Sequence, residues 1–460
     1  APQRISPPPP VARTSSSSFS SSQKNFARDM QESCHTPSLV LSKVGRRLTI
    51  DNDPEGKTSS LVLVRLAKMM ISQSNGILYG DGEDERSGGG GDRPAGGNYA
   101  RNALLDVDDQ RGFEDSLDII KRVSDTLAES IVSNSGRGKG GNANNDVTME
   151  GIKAAGVLAR LLFSPASETR SSCSAGDVFS SLGESFRNVD ARSLDDHHLS
   201  GLKWAYDCLS LANGGECGND GGGSGPFELP DPVASRYASL NLPFHIRPGF
   251  LSSVDLTVSN VRSQANFRTE EIQTTATNRV VRERRQTAWE GDDGVPGFAY
   301  SGKVMETGTF SPIVRYVRDE LDERTGRSYD CCLLNLYPDG DSGMRYHIDP
   351  EQGDLWGYET AVVSVGAARR FAFREVAGGG GDPSGPPNGG GGTKRKRQRK
   401  QPPQPPQPQP HNFVVMDGDV VEMFDDCQAR FQHTVKTAEG KRETAPRCSM
   451  VFKQCLQHSQ

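Results

Sequence analysis

The stretch "MRYHIDPEQGDLWGYE", residues 344–359, sets His347 and Asp349 two positions apart among aromatic and glycine residues. In a strand, residues i and i+2 point the same way, so an H-x-D pair can offer an imidazole and a carboxylate to one ion. Spacing alone is weak: eight histidines in such a chain give one such pair by chance about half the time. A second strand-like segment, "RFQHTVKTAEG", carries His433, and Arg447 follows fourteen residues later at the head of "RCSMVFK". Two histidines and a carboxylate suit one face of an octahedral Fe(II) with open positions beside them, and the same donors also suit zinc. A buried arginine is the group that grips the far carboxylate of a dicarboxylic co-substrate through parallel N–H bonds.

Such a site needs rigid strands to hold it. From about residue 240 the chain turns to short β-branched and aromatic runs: "CCLLNLY", "TAVVSVGAA", "RFAFREV", "NFVVMDGDVVEMF", "RFQHTV" and "CSMVFKQC". Runs of this length between turn residues predict an all-β barrel or sandwich. One helix interrupts them, "SPIVRYVRDELDERTG", with apolar positions 313, 314, 317 and 321 on one face. A Gly/Pro-rich and then basic insertion, 377–410, falls between two strands and is expected to be a surface loop.

Upstream, residues 56–213 carry helix-period segments broken by Gly/Ser-rich stretches. The strongest is "FEDSLDIIKRVSDTLAESIV", where Leu117, Ile120, Val123, Leu127 and Ile131 share a face. Residues 1–55 read as a disordered or targeting tail, 214–238 as a linker, and 239–458 as the site-bearing domain. The first 28 residues, rich in Ser with Arg and no acid, resemble an organelle transit peptide. "TKRKRQRK" at 393–400 reads instead as a nuclear address or an anchor for nucleic acid.

Composition narrows the class. Only 34% of the 460 residues are hydrophobic and 51 are glycine, so a large part of the chain cannot bury a core. A net charge of -6 gives no global sign of nucleic-acid binding, and any basic surface must be local. Arg279, Arg282, Arg284 and Arg285 in "NRVVRERRQ" form one such patch, suited to phosphates. Nine cysteines without a C-x-x-C pair read as reduced intracellular thiols. No apolar run approaches the ~18–20 residues that cross a bilayer, and the oligomeric state is not legible. His197 and His198 are expected to be exposed and without a ligand role.

The order Asn335-Leu336-Tyr337, His347-Ile348-Asp349, "SVGAARRFAFRE", "GDVVEMF", His433, Arg447 resembles the AlkB family over about 240–457. That resemblance implies a double-stranded β-helix (jelly-roll) fold with flanking helices, and Fe(II)- and 2-oxoglutarate-dependent oxygenase chemistry using O2. It implies iron ligation by His347, Asp349 and His433, hydrogen bonds from Asn335 and Tyr337 to 2-oxoglutarate, and Arg447 on its distal carboxylate. The family's closing R-x-N-x-T-x-R is altered here: Ser449 stands for Asn, Val451 for Thr and Lys453 for the last Arg, so Ser449 and Lys453 are expected in the co-substrate site. "RQTAWEGDDGVPGFAYSG" looks like the nucleotide-recognition region of members that repair alkylated bases. On that likeness Trp289, Phe298 and Tyr300 would line a base pocket and Glu351 would meet an exocyclic amine. The expected function is oxidative demethylation of N-alkylated bases in DNA or RNA. The alternatives are an oxygenase of protein or lipid, and an inactive nucleic-acid-binding adaptor.

Overall fold

The computed structural model describes residues 57–79, 110–135, 142–163, 194–212, 229–273 save 252 and 254, 280–300, 303–376, 408–438 and 445–457, with a few single positions before 194. The transit-like start, "TKRKRQRK" and Arg279 lie outside the described residues. Among the described residues the N-terminal helices include α1 (Lys57–Tyr79), α2 (Gln110–Ser135), α3 (Asn142–Phe163), α4 (Asp196–Ala212) and α5 (Asp231–Ser239). Then follow β1 (Phe244–Arg247), α6 (Val258–Gln264), β2 (Glu271–Gln273), β3 (Val280–Arg282), β4 (Gln286–Gly291), β5 (Phe298–Tyr300), β6 (Lys303–Met305), β7 (Gly308–Thr309) and α7 (Pro312–Thr325). The remainder is β8 (Cys331–Tyr337), β9 (Met344–His347), β10 (Trp356–Gly366), β11 (Arg369–Glu375), β12 (His411–Val415), β13 (Val420–Met423), α8 (Cys427–Arg430), β14 (Phe431–Val435) and β15 (Arg447–Cys455).

Two sheets form the jelly roll. The larger runs β1-β13-β10-β15-β8-β4-β7 and the smaller β12-β11-β14-β9. Period-two alternation divides the large sheet's residues by face. On β15, Cys448, Met450 and Phe452 join Leu334, Leu336 and Val363 in one core. The α7 residues Ile313, Val314, Val317 and Leu321 cover that outer face, each contributing about 1.5–3 kcal/mol by burial. The alternate residues Arg447, Ser449 and Lys453 are also buried, beside Asn335, Thr360 and Ser364. Polar groups are buried this way only where they bond one another or a ligand, so the inner face is the part of the sheet that demands a function.

Local signals account for the breaks. Helix α7 starts with Pro312 behind Ser311 and stops at Gly326, whose φ of 69° favours glycine. At the β10–β11 turn Gly366 has φ +91°, and an added Cβ would meet Val258 and the Pro446 carbonyl. That turn seats the start of β15, and with it Arg447.

The predicted face of α2 is the buried one, with Leu117, Ile120, Val123, Leu127 and Ile131 in the core. The helical layer and the jelly roll are not separate cores. Helices α1 to α5 share a single apolar cluster with Phe244, Phe371, Phe413 and Val415. Trp204 of α4 meets Phe413 edge-on at 6.2 Å, and Arg160 of α3 donates to both carboxylate oxygens of Asp419 at 2.9 and 2.7 Å. Helix α5 occupies the end of the stretch 214–238 expected as linker. Its Pro-Asp-Pro start reads as loop, but proline is well tolerated in a helix's first turn. Among the described residues no helix is long and apolar enough to cross a membrane.

Candidate metal and co-substrate site

His347 ends β9 and His433 lies on β14, and the two are direct cross-strand partners. Asp349 follows β9 by two residues. Its Oδ1 stands 3.6 Å from His347 Nε2 and 3.6 Å from His433 Nε2. Adjacent ligands of an octahedral ion with bonds of roughly 2.1 Å lie ~3 Å apart, so the three donors fit one small cation with little movement. His347 Nδ1 donates to the Arg345 carbonyl at 2.9 Å, leaving Nε2 with the lone pair. Burial pushes the His433 imidazole down to about 3, with His347 and Lys453 adding to that and Asp349 opposing it, so it is a neutral donor. Phe371 stacks parallel to its ring at 5.8 Å.

Burial would raise the Asp349 carboxyl, but Lys453, His433 and His347 outweigh it and hold it well below the usual carboxylate range. The Lys453 ammonium, itself buried, donates to Asp349 Oδ2 at 2.7 Å and to Thr360 Oγ1 at 3.3 Å. One carboxylate oxygen is thereby occupied and the other left to the imidazoles. Gln428 completes the support by accepting from the Asp349 backbone N–H at 2.9 Å. Lys453, expected from the resemblance's closing motif to meet the co-substrate, bonds instead to the Asp349 carboxylate. A single ammonium suits that task, which needs one short bond and no planar fork.

Arg447 is fully buried opposite Tyr337 on β8. Its Nη2 donates to Ser364 Oγ at 2.8 Å, whereas Nε and Nη1 have no hydrogen-bond partner among the described residues. Burial pushes it down to about 10, with Arg369 nearby adding to the effect. A buried guanidinium with unpaired N–H groups is costly unless an anion completes it. That is the fit expected for the far carboxylate of a dicarboxylic acid. Asn335 and Tyr337, two apart on β8, and Ser449 on β15 are buried beside it.

The residues expected to meet a base divide. Trp289 and Phe298 are closed in with Trp356, their rings 4.9 to 5.9 Å apart, and are 3% and 4% exposed. Trp356 arrives from β10, a non-local partner, and completes a small core with both. Tyr300 is half-buried and donates to Glu283 Oε2 at 2.8 Å. Glu351 is exposed at φ +59°, its carbonyl accepting from Leu355 and Trp356.

Two further expectations are corrected. His198 is buried, not exposed: its Nε2 lies 2.9 Å from Asp146 Oδ1, tying α4 to α3, with the His197 ring 3.9 Å away. Arg285 is no surface cation. It turns inward to Glu283 and Asn335, while Arg282 and Arg284 stay exposed.

Residues 244–453 match the 2OG-Fe(II) oxygenase superfamily. An uncharacterized protein of Acanthamoeba polyphaga mimivirus is 27% identical over 193 residues, 42% of this chain and 84% of that one. The DNA oxidative demethylase ALKBH2 of Mus musculus is 36% identical over 90 residues, 20% of this chain and 37% of that protein. The alpha-ketoglutarate-dependent dioxygenase alkB homolog 3 of Homo sapiens is 32% identical over 92 residues, 20% of this chain and 31% of that one. The chain thus spans about a third of the length of these demethylase and dioxygenase relatives.

Proposed function

We propose that residues 244–453, which match the 2OG-Fe(II) oxygenase superfamily, form an AlkB-type oxygenase domain that removes N-alkyl groups oxidatively from bases in DNA or RNA. The observation that carries the chemistry is Arg447, buried with Nε and Nη1 unpartnered among the described residues, beside a group of two imidazoles and a carboxylate. The likeness to DNA demethylases supports the choice of a nucleic-acid substrate.

His347, Asp349 and His433 would hold the Fe(II), and Arg447 would pair with the distal carboxylate of 2-oxoglutarate. When bound, the iron and its co-substrate supply the O2 activation that couples decarboxylation to succinate with oxidation of a C–H bond. An N-methyl group oxidised in this way becomes N-hydroxymethyl and loses formaldehyde, which restores the base. Lys453 keeps Asp349 ionised and fixed, so the ligand face is formed before the ion arrives. The apolar rings of Phe371 and Phe373 beside His433 exclude water from that side. Exposed Arg282 and Arg284 would meet phosphates, and Glu351, two residues past the aspartate, would accept from an exocyclic amine. The basic run 393–400 would direct the protein to the nucleus or add to nucleic-acid affinity.

Succinate formation tests the reading. It is expected to require Fe(II), to rise with a methylated oligonucleotide, and to vanish in His347→Ala. Turnover stimulated by a protein or lipid extract and by no methylated nucleic acid would move the substrate class elsewhere. Oligonucleotide binding with neither metal nor 2-oxoglutarate uptake would make the domain an adaptor.

A further inference from the structure

Arg285 closes the basic run "NRVVRERRQ", yet its side chain is only 12% exposed. Its Nη1 donates to Asn335 Oδ1 at 2.9 Å and approaches Met344 Sδ at 3.1 Å. Its Nε and Nη2 reach Glu283 Oε1 at 3.2 and 3.1 Å. The other Glu283 oxygen accepts from Tyr300 at 2.8 Å, and the guanidinium lies 5.7 Å from the centre of the Tyr300 ring. A chain of charge-assisted bonds therefore runs from β5 to the inner face of the large sheet.

Its end decides the orientation of an amide. A guanidinium only donates, so the Asn335 atom facing it must be the oxygen. The Nδ2 group is then the part of Asn335 left for the inner face, where Arg447 and Tyr337 also lie. Turned the other way, the amide would present oxygen to an incoming carboxylate and repel it.

We propose that Arg285 is a positioning residue for the co-substrate. It locks the Asn335 amide with its donor toward 2-oxoglutarate, and Glu283 and Tyr300 hold Arg285 in place. This rests on the reading that the inner face takes 2-oxoglutarate. The link also ties co-substrate affinity to the paired strands β5 and β6, because Tyr300 belongs to β5.

The test is calorimetric titration of anaerobic protein with Mn(II) in place of Fe(II), measuring the Kd for the metal and then for 2-oxoglutarate. Arg285→Met is expected to raise the 2-oxoglutarate Kd roughly 10- to 100-fold, the loss of one charge-assisted bond, and to leave the Mn(II) Kd unchanged. Arg285→Lys is expected to recover part of the affinity, since an ammonium can still donate to Asn335. Should Arg285→Met fail to fold, Glu283→Gln keeps the shape and is expected to weaken 2-oxoglutarate alone, by several-fold. Equal 2-oxoglutarate affinity in Arg285→Met and the unaltered protein overturns the positioning role while leaving the site reading intact. Parallel loss of Mn(II) and 2-oxoglutarate overturns it too, since that marks a merely structural arginine. If the unaltered protein binds Mn(II) but no 2-oxoglutarate, the site reading itself fails, and this role with it.

Discussion

Replacing Arg447 by Met should have two effects of opposite sign. Met fills a similar volume and carries no charge, so the substitution removes a desolvated cation without opening a large cavity. Burial pushes Arg447 from the ordinary guanidinium range down to about 10, and at 1.36 kcal/mol per pH unit that shift amounts to about 3 kcal/mol of cost to the unliganded fold. Its hydrogen bond to Ser364 offsets about 1 kcal/mol of this. The unliganded variant is therefore expected to be about 2 kcal/mol more stable than the parent in urea unfolding. Binding should move the other way. Losing one partner of a buried charged pair costs about 2–5 kcal/mol, so the 2-oxoglutarate Kd should rise roughly 30-fold to several-thousand-fold. Added 2-oxoglutarate should then raise the melting temperature of the parent and not of the variant. A variant less stable than the parent that still binds 2-oxoglutarate would refute the reasoning, because Arg447 would then be a structural residue.

Three further perturbations probe the frame around the site. Arg160→Met leaves the buried Asp419 carboxylate without its cation and is expected to cost about 3 kcal/mol. Urea unfolding should still show one transition, since the helical layer and jelly roll share a core. His411 is pushed down to about 3, first by burial, so the unfolded chain binds its proton first and stability rises with pH between about 3 and 6.5. His411→Gln should flatten that acid limb by about 1.4 kcal/mol per pH unit, read from unfolding midpoints across the range. Lys453→Met removes the cation that holds Asp349 ionised, so the pH at which Mn(II) is half-released in an acid titration should move upward.

The grouping of His347, Asp349 and His433 was legible because its signals sit at strand ends and in segment order. H-x-D at a strand end fixes two donors on one side, and the order of the segments around it points to His433 and Arg447. The same period-two rule that pairs Arg447 with Ser449 also covers Lys453, but not what Lys453 would touch, since Asp349 comes from another strand. Arg285 illustrates the limit more sharply. Four arginines in a run look alike, and counting back by two from Trp289 and Thr287 is the signal that separates Arg285 from Arg284. The packing of Trp289 and Phe298 against Trp356 was not legible, because Trp356 is more than fifty positions away. His198 was misread for the same reason: its partner Asp146 sits on the preceding described helix. The shared core of helices and jelly roll was hidden because an apolar helical face does not name the surface it covers.

The account is tested most directly by a panel of oligonucleotides carrying 1-methyladenine or 3-methylcytosine, incubated with the protein, Fe(II), 2-oxoglutarate and O2. It predicts formaldehyde and succinate in equal amounts from at least one of them, and neither product in His347→Ala. Succinate released with a protein substrate, and no formaldehyde from any methylated nucleic acid, would contradict it.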